Sequence, residues 1–153
     1  MEAVGLHRKG EISLEQIIDH VKRLPTYHDS GALASFVGVV RTDPVSGSDS
    51  KVSRLEYEAY SDAALERMEE IRSDAKKHDG VLEVEIHHVI DSLTVGEPSI
   101  FVVVMGKHRQ DVFPVLVETV ERVKKEVPIW KKEFTDKGSY WVSNEPSNNS
   151  GKS

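Results

Sequence analysis

Lys124 and Lys131 stand on either side of Pro128 in the run Lys124-Lys125-Glu126-Val127-Pro128-Ile129-Trp130-Lys131-Lys132-Glu133. An amine held away from water can move protons or pair with anions, because burial lowers its pKa and leaves its charge in need of a partner. Between Arg122 and Lys132 five cations meet the single anion Glu126, a local excess of +4 in a chain of net charge −6. That reversal of sign points to an anionic ligand. Three other groups suit the same task. Arg41 ends an apolar run, and His108 and Arg109 lie in a polar turn before a helix, where free N–H groups favour anions. Each has a plainer reading too: a helix lysine can lay its stem over apolar surface with its charge in solvent, and cations beside a strand can form a solvated rim.

These groups need elements to hold them. Proline cannot continue a helix and disfavours helical geometry in the residue before it, so a helix capped by Asp111 should stop near Glu126. With Leu116 at zero and about 100° per residue, Val112, Phe113, Leu116, Val117, Val120, Val123 and Val127 fall between about −40° and about +100°. Lys124 falls near +80° by the same reckoning, inside the arc expected to face protein, while Lys125 falls on the opposite side. After Pro128 an extended segment carries Lys131, and Asp136-Lys137-Gly138 should turn it into a hairpin.

Upstream, Ala3–Arg8 reads as a strand, and Ser13 with Gln16 as the capping box of a helix over Leu14–Arg23. Gly31–Arg41 is apolar on both faces, as in a strand buried on both sides, and its small residues imply close approach of a partner strand or a ligand. Thr42–Lys51, with Pro44 and Gly47, is a loop and a candidate lid beside Arg41. Val52–Tyr60 alternates as a half-exposed strand, and Ser61 should cap a helix running to the Lys76–Gly80 stop. Leu82, Val84 and Ile86 alternate with Glu83 and Glu85 in a strand running to about Ile90. Val95–Pro98 is a turn, and Ser99–Met105 an apolar central strand. The expected fold is α+β, three helices on mixed or antiparallel sheet with a small β hairpin subdomain. It forms one domain over residues 1–143, with a disordered tail over 144–153.

Composition removes several classes of function. Without cysteine there is no disulfide, thiolate metal site or cysteine nucleophile, so any sulfur chemistry must use sulfur brought from elsewhere. Mild acidity argues against nonspecific nucleic-acid binding, and no apolar run approaches the ~20 residues of a membrane span. The start of the chain shows no export signal, so the cytoplasm is the expected compartment. His87 and His88, adjacent on a strand, point to opposite faces and form no local metal pair. Glycine-rich phosphate loops and hydrolase motifs are absent, and no cofactor is called for.

The run Val127-Pro128-Ile129-Trp130-Lys131-Lys132-Glu133 resembles the V-P-I-W-K-K-E signature of the large, catalytic subunit of molybdopterin synthase, the MoaE family. Gly31-Ala32, Phe36-Val37-Gly38 and Val40-Arg41 resemble its G-A-x-x-x-F-x-G-x-V-R, and Leu55–Tyr60 its L-x-Y-E-x-Y. Val95-Gly96-Glu97, His108-Arg109 and Trp141-Val142 resemble its V-G-E, H-R and closing W-V. The chain departs at His88-Val89-Ile90-Asp91, where members often show H-R-x-G, at Ala63, where many have methionine, and at Ser143–Glu145, where some carry arginine.

The resemblance implies an α/β-hammerhead fold and a homodimer flanked by two small subunits in a heterotetramer. It implies sulfur transfer from the C-terminal Gly-Gly thiocarboxylate of a small ubiquitin-like subunit to cyclic pyranopterin monophosphate, forming the dithiolene of molybdopterin. By motif position Lys124 and Lys131 would be catalytic. Arg41, His108 and Arg109 would bind phosphate and pterin, with Val39, Val40, Lys132 and Glu133 lining the site. Of the two lysines, Lys131 is expected at the acyl linkage and Lys124 in proton transfer. Two other classes remain open: a noncatalytic module holding a ubiquitin-like tail or an anion, and a lysine Schiff-base enzyme acting on a phosphorylated carbonyl compound.

Overall fold

The computed structural model describes residues 1–44 and 50–142. Its organising element is the apolar strand β6 (Pro98–Gly106), paired antiparallel on one side with β2 (Ala32–Val39) and on the other with β4 (Val81–Val89). The strand β1 (Val4–His7) joins β4 in parallel, so the first sheet runs β1-β4-β6-β2. A second, antiparallel sheet is built from β3 (Val52–Ala59), β5 (Ser92–Thr94), β7 (Ile129–Thr135) and β8 (Gly138–Val142), in the order β5-β3-β7-β8. The helices are α1 (Leu14–Lys22), α2 (Ser61–Ala75) and α3 (Arg109–Glu126), with a 3-10 turn over Pro25–Asp29. This is the α+β arrangement of three helices on mixed and antiparallel sheet, and β7–β8 is the hairpin expected around Asp136–Gly138.

β6 is apolar from Ile100 to Met105 because each of its faces meets a core. Val102 and Val104 pack with Met68 and Ile71 of α2 and Val112, Val120 and Val123 of α3. Phe101, Val103 and Met105 pack with Ile17 and Val21 of α1 and with Leu55 and Leu93 of the second sheet. Burial of such side chains contributes roughly 1.5–3 kcal/mol each, which holds the two sheets against each other.

Three expectations change. β2 is an edge strand and only half buried, because among the described residues only β6 pairs with it; a Cβ at its Gly38 would collide with Ile100, and one at Gly31, just before the strand, with the Lys107 carbonyl. β4 is buried on both faces despite its glutamates: Glu85 lies fully inside, bonded to His20 of α1 and to His87, and His87 in turn meets His7. Tyr60 rather than Ser61 precedes α2, with no side-chain cap. α3 begins at Arg109, not after Asp111, because the extended His108 supplies the carbonyl that the amides of Asp111 and Val112 meet. Ser13 caps α1 as expected, accepting from the Gln16 amide. Residues 45–49 of the Thr42–Lys51 loop and the tail from 144 lie outside the described residues.

Candidate functional site

The corner at Pro128 brings a helix end and a strand start to one place. Val127 ends α3 in extended geometry, its amide still bonded to the Val123 carbonyl, and the Ile129 amide meets the Val127 carbonyl at 2.8 Å. From there β7 runs antiparallel to β3, with Lys131 opposite Tyr57 and Glu133 opposite Leu55. Strand alternation then sends Ile129, Lys131 and Glu133 to one face and Trp130 and Lys132 to the other.

The inward face closes a cavity of about 530 Å³, within the range typical of small-molecule sites. Lys124, Lys131 and Arg41 line it together with Val39, Val40 and Glu133. Val40 is held by backbone bonds on both sides, donating to Glu97 and accepting from Gly96, which fixes where Arg41 emerges. A register shift between Gly38 and Val39 re-aims the strand end toward the cavity.

Three cations share this space with two carboxylates, and one of those, Asp43, is held by Lys51 at 2.9 Å. The Lys131 ammonium has a lowered pKa, first because it is buried and then because Lys124 and Arg41 are near; Glu133 opposes the shift. Burial similarly raises the Tyr57 phenol. The enclosed lysine is therefore Lys131 rather than Lys124. On α3 the buried residues are Val112, Val115, Thr119, Val120 and Val123. With Leu116 at zero they centre near −30°, so Phe113, Lys124 and Val117, at about +60° to +100°, lie on the flank and are exposed. Lys124 reaches the cavity from that flank, its Nζ 5.5 Å from the Phe36 ring centre.

Three expected residues do not reach the cavity. Lys132 points to the opposite face of β7, where its Nζ sits 5.4 Å from the Trp141 ring and 5.5 Å from the Phe134 ring. His108 and Arg109 lie at the other end of α3, about 22 Å from Lys124 at 1.5 Å per residue. Both are exposed, and His108 borders a separate recess with Asp29, Ser30 and Lys107. Within one chain, then, three cations converge rather than five groups.

The cavity also contains His88, Tyr57 and Ser99, none of them singled out as site residues by the sequence reading. His88 had a legible signal, since it shares the parity of Val84 and Ile86 and so had to follow them inward. Tyr57 is the first tyrosine of the L-x-Y-E-x-Y resemblance, but its place opposite Lys131 depends on the pairing of β3 with β7.

Residues 7–126 match the family model described as MoaE protein. The chain belongs to the MoaE family. It is 38% identical over 125 residues to the molybdopterin synthase catalytic subunit of Pyrococcus abyssi, covering 82% of each chain. To that of Bacillus subtilis it is 31% identical over 137 residues, 90% of this chain and 83% of the relative. Among solved structures, molybdopterin synthase from Staphylococcus aureus superposes with a TM-score of 0.82 at 29% identity, covering 93% of this chain and 98% of that one. The MoaE family match stops short of Lys131, but the Bacillus subtilis match spans nine-tenths of the chain.

Proposed function

We propose that this chain is the catalytic subunit of a molybdopterin synthase, in which the cavity receives the thiocarboxylate tail of a small ubiquitin-like subunit together with cyclic pyranopterin monophosphate. The observation that carries the reading is the meeting of Lys124, Lys131 and Arg41 in one cavity at the Pro128 corner. The chain has no cysteine, so the sulfur arrives on the donor, and the thiocarboxylate is its own nucleophile. What the protein must supply is cationic groups for the phosphate and the donor's charge, and groups that move protons. Once sulfur has bonded to the substrate, water must cleave the acyl–sulfur linkage so that the donor leaves as a carboxylate.

The lowered pKa of Lys131 makes its ammonium a ready proton donor at the acyl linkage, which combines the two tasks that the sequence divides between the lysines. Lys124, more open, and Arg41 hold the anionic group. His108 and Arg109, too far from the cavity along α3, contact substrate from a second copy of the chain in the homodimer of a heterotetramer. A test mixes the chain with thiocarboxylated donor and cyclic pyranopterin monophosphate and looks by mass spectrometry for a product carrying two added sulfurs. Full turnover by a Lys124→Ala or Lys131→Ala chain would end the assignment of that lysine.

A depressed lysine also suits Schiff-base chemistry on a phosphorylated carbonyl compound. Borohydride would then trap a covalent adduct on Lys131, whereas sulfur transfer leaves none.

A further inference from the structure

His88 sits in the wall of the cavity, 7% exposed, on the face of β4 opposite to His87. Its Nδ1 lies 2.9 Å from the Val89 carbonyl. A carbonyl only accepts, so Nδ1 carries the hydrogen, and in the neutral ring Nε2 keeps its lone pair. The Tyr57 ring meets the imidazole edge-on, with centres 5.1 Å apart, and holds its plane. The titratable groups that line the cavity with it are Arg41 from the end of β2, Asp43 from the loop beyond, Tyr57 from β3, Lys124 from α3, and Lys131 and Glu133 from β7. Asp43 is committed to Lys51, and Glu133 supports the charge of Lys131. The Tyr57 and Ser99 hydroxyls also line the cavity and can accept a hydrogen bond, but of the uncharged side chains described there the imidazole nitrogen is the strongest base.

We propose that His88 is the proton acceptor of this cavity, its Nε2 taking the proton of the water that cleaves the acyl–sulfur linkage. The inference rests on the sulfur-transfer reading for the identity of that step. In it a water O–H bond breaks and its proton passes to Nε2, while the oxygen bonds to the acyl carbon. The carbon–sulfur bond breaks with its electron pair on sulfur. The products are the donor carboxylate, the substrate thiolate and two protons, one on Nε2 and one released to solvent. An anion in the cavity controls the step: in the empty cavity burial and the charges of Lys131 and Lys124 hold the His88 pKa at about 4, and a bound phosphate offsets those charges and makes the ring a stronger base. The acceptor therefore strengthens when substrate is present.

The experiment uses the full chain labelled with ¹³C and ¹⁵N in histidine and lysine, at pH 6, with and without saturating inorganic phosphate. The expected spectrum shows His88 neutral and protonated on Nδ1, shifting toward the doubly protonated form as phosphate moves the Lys131 signals. A ring protonated on Nε2, or one that stays unmoved while Lys131 responds, overturns the proposal and leaves the sulfur-transfer reading standing. Phosphate that moves neither residue counts against the cavity as an anion site, and so against both. In the full reaction, His88→Asn keeps an N–H for the Val89 carbonyl but has no base. It should bind phosphate within about threefold of the original chain, lose about 10²- to 10⁴-fold in turnover and accumulate the donor still linked through sulfur to the substrate. Unchanged turnover, or loss without the linked adduct, overturns the role; no product from the original chain defeats the sulfur-transfer reading itself.

Discussion

α3 carries cations at both ends, and the two ends behave differently. At its start Lys107, His108 and Arg109 are exposed, and His108 donates to Asp111 in the first turn at 3.1 Å. At its finish Lys124 meets Lys131 and Arg41 against walls supplied by β2, β3, β4 and β7. Charge is similar at the two ends; enclosure is not. Only where a strand corner folds back over the helix does an amine lose water and become a useful acid or base, so the walls make the site and the charges make it selective.

The comparison can be broken or sharpened by mutation. The largest effect belongs at the enclosed end: Lys131→Ala should lower product formation about 10³-fold or more, measured as sulfur incorporated per chain, with the fold intact by circular dichroism. Lys124→Ala, which removes a more open group, should cost about 10²-fold. An equal or larger loss from Lys124→Ala would reverse the ranking drawn from enclosure.

His88 offers a stability test of the same idea. Folded, it takes up a proton only near pH 4, against an ordinary value of 6.5 in the unfolded chain. As pH falls below 6.5 the unfolded state binds this proton first, so stability drops until about pH 4 and then levels with respect to this group. Between pH 7 and 4.5 the loss should be about 2–3 kcal/mol by chemical denaturation, and His88→Gln should lack that portion. His108→Gln, at the open end, should change stability by less than about 0.5 kcal/mol.

A smaller signal tests whether the open end serves another chain. Co-refolding Lys131→Ala with Arg109→Ala should restore about a quarter of the original activity, because a mixed dimer holds one intact site. No recovery would confine His108 and Arg109 to a role outside the cavity.

Much of the architecture was legible locally. The Ser13–Gln16 cap, the apolar run that became β6, the stop at Pro128 and the hairpin at Gly138 each depend on neighbours in sequence, where backbone sterics and hydrogen bonding act over a few residues. The errors lie where distant segments decide the environment. Glu83 and Glu85 alternate with apolar residues, and nothing local shows that Glu85 and His87 lie in the interior, where they bond to each other and to His20 of α1 and His7 of β1. The apolar arc of α3 and the face that it buries differ by about 60°, since apolar Phe113 and Val117 lie on its exposed flank.

The amino-acid order alone determined which residues could do chemistry here, two lysines about a proline corner with an arginine at a strand end, and the family whose motifs they share. Tertiary structure decided which of them meet: strand pairing set Lys131 against Tyr57 and aimed Lys132 away, while the length of α3 separated His108 and Arg109 from the cavity. Side-chain identity is written residue by residue, whereas desolvation is a property of whatever the rest of the chain places around that residue.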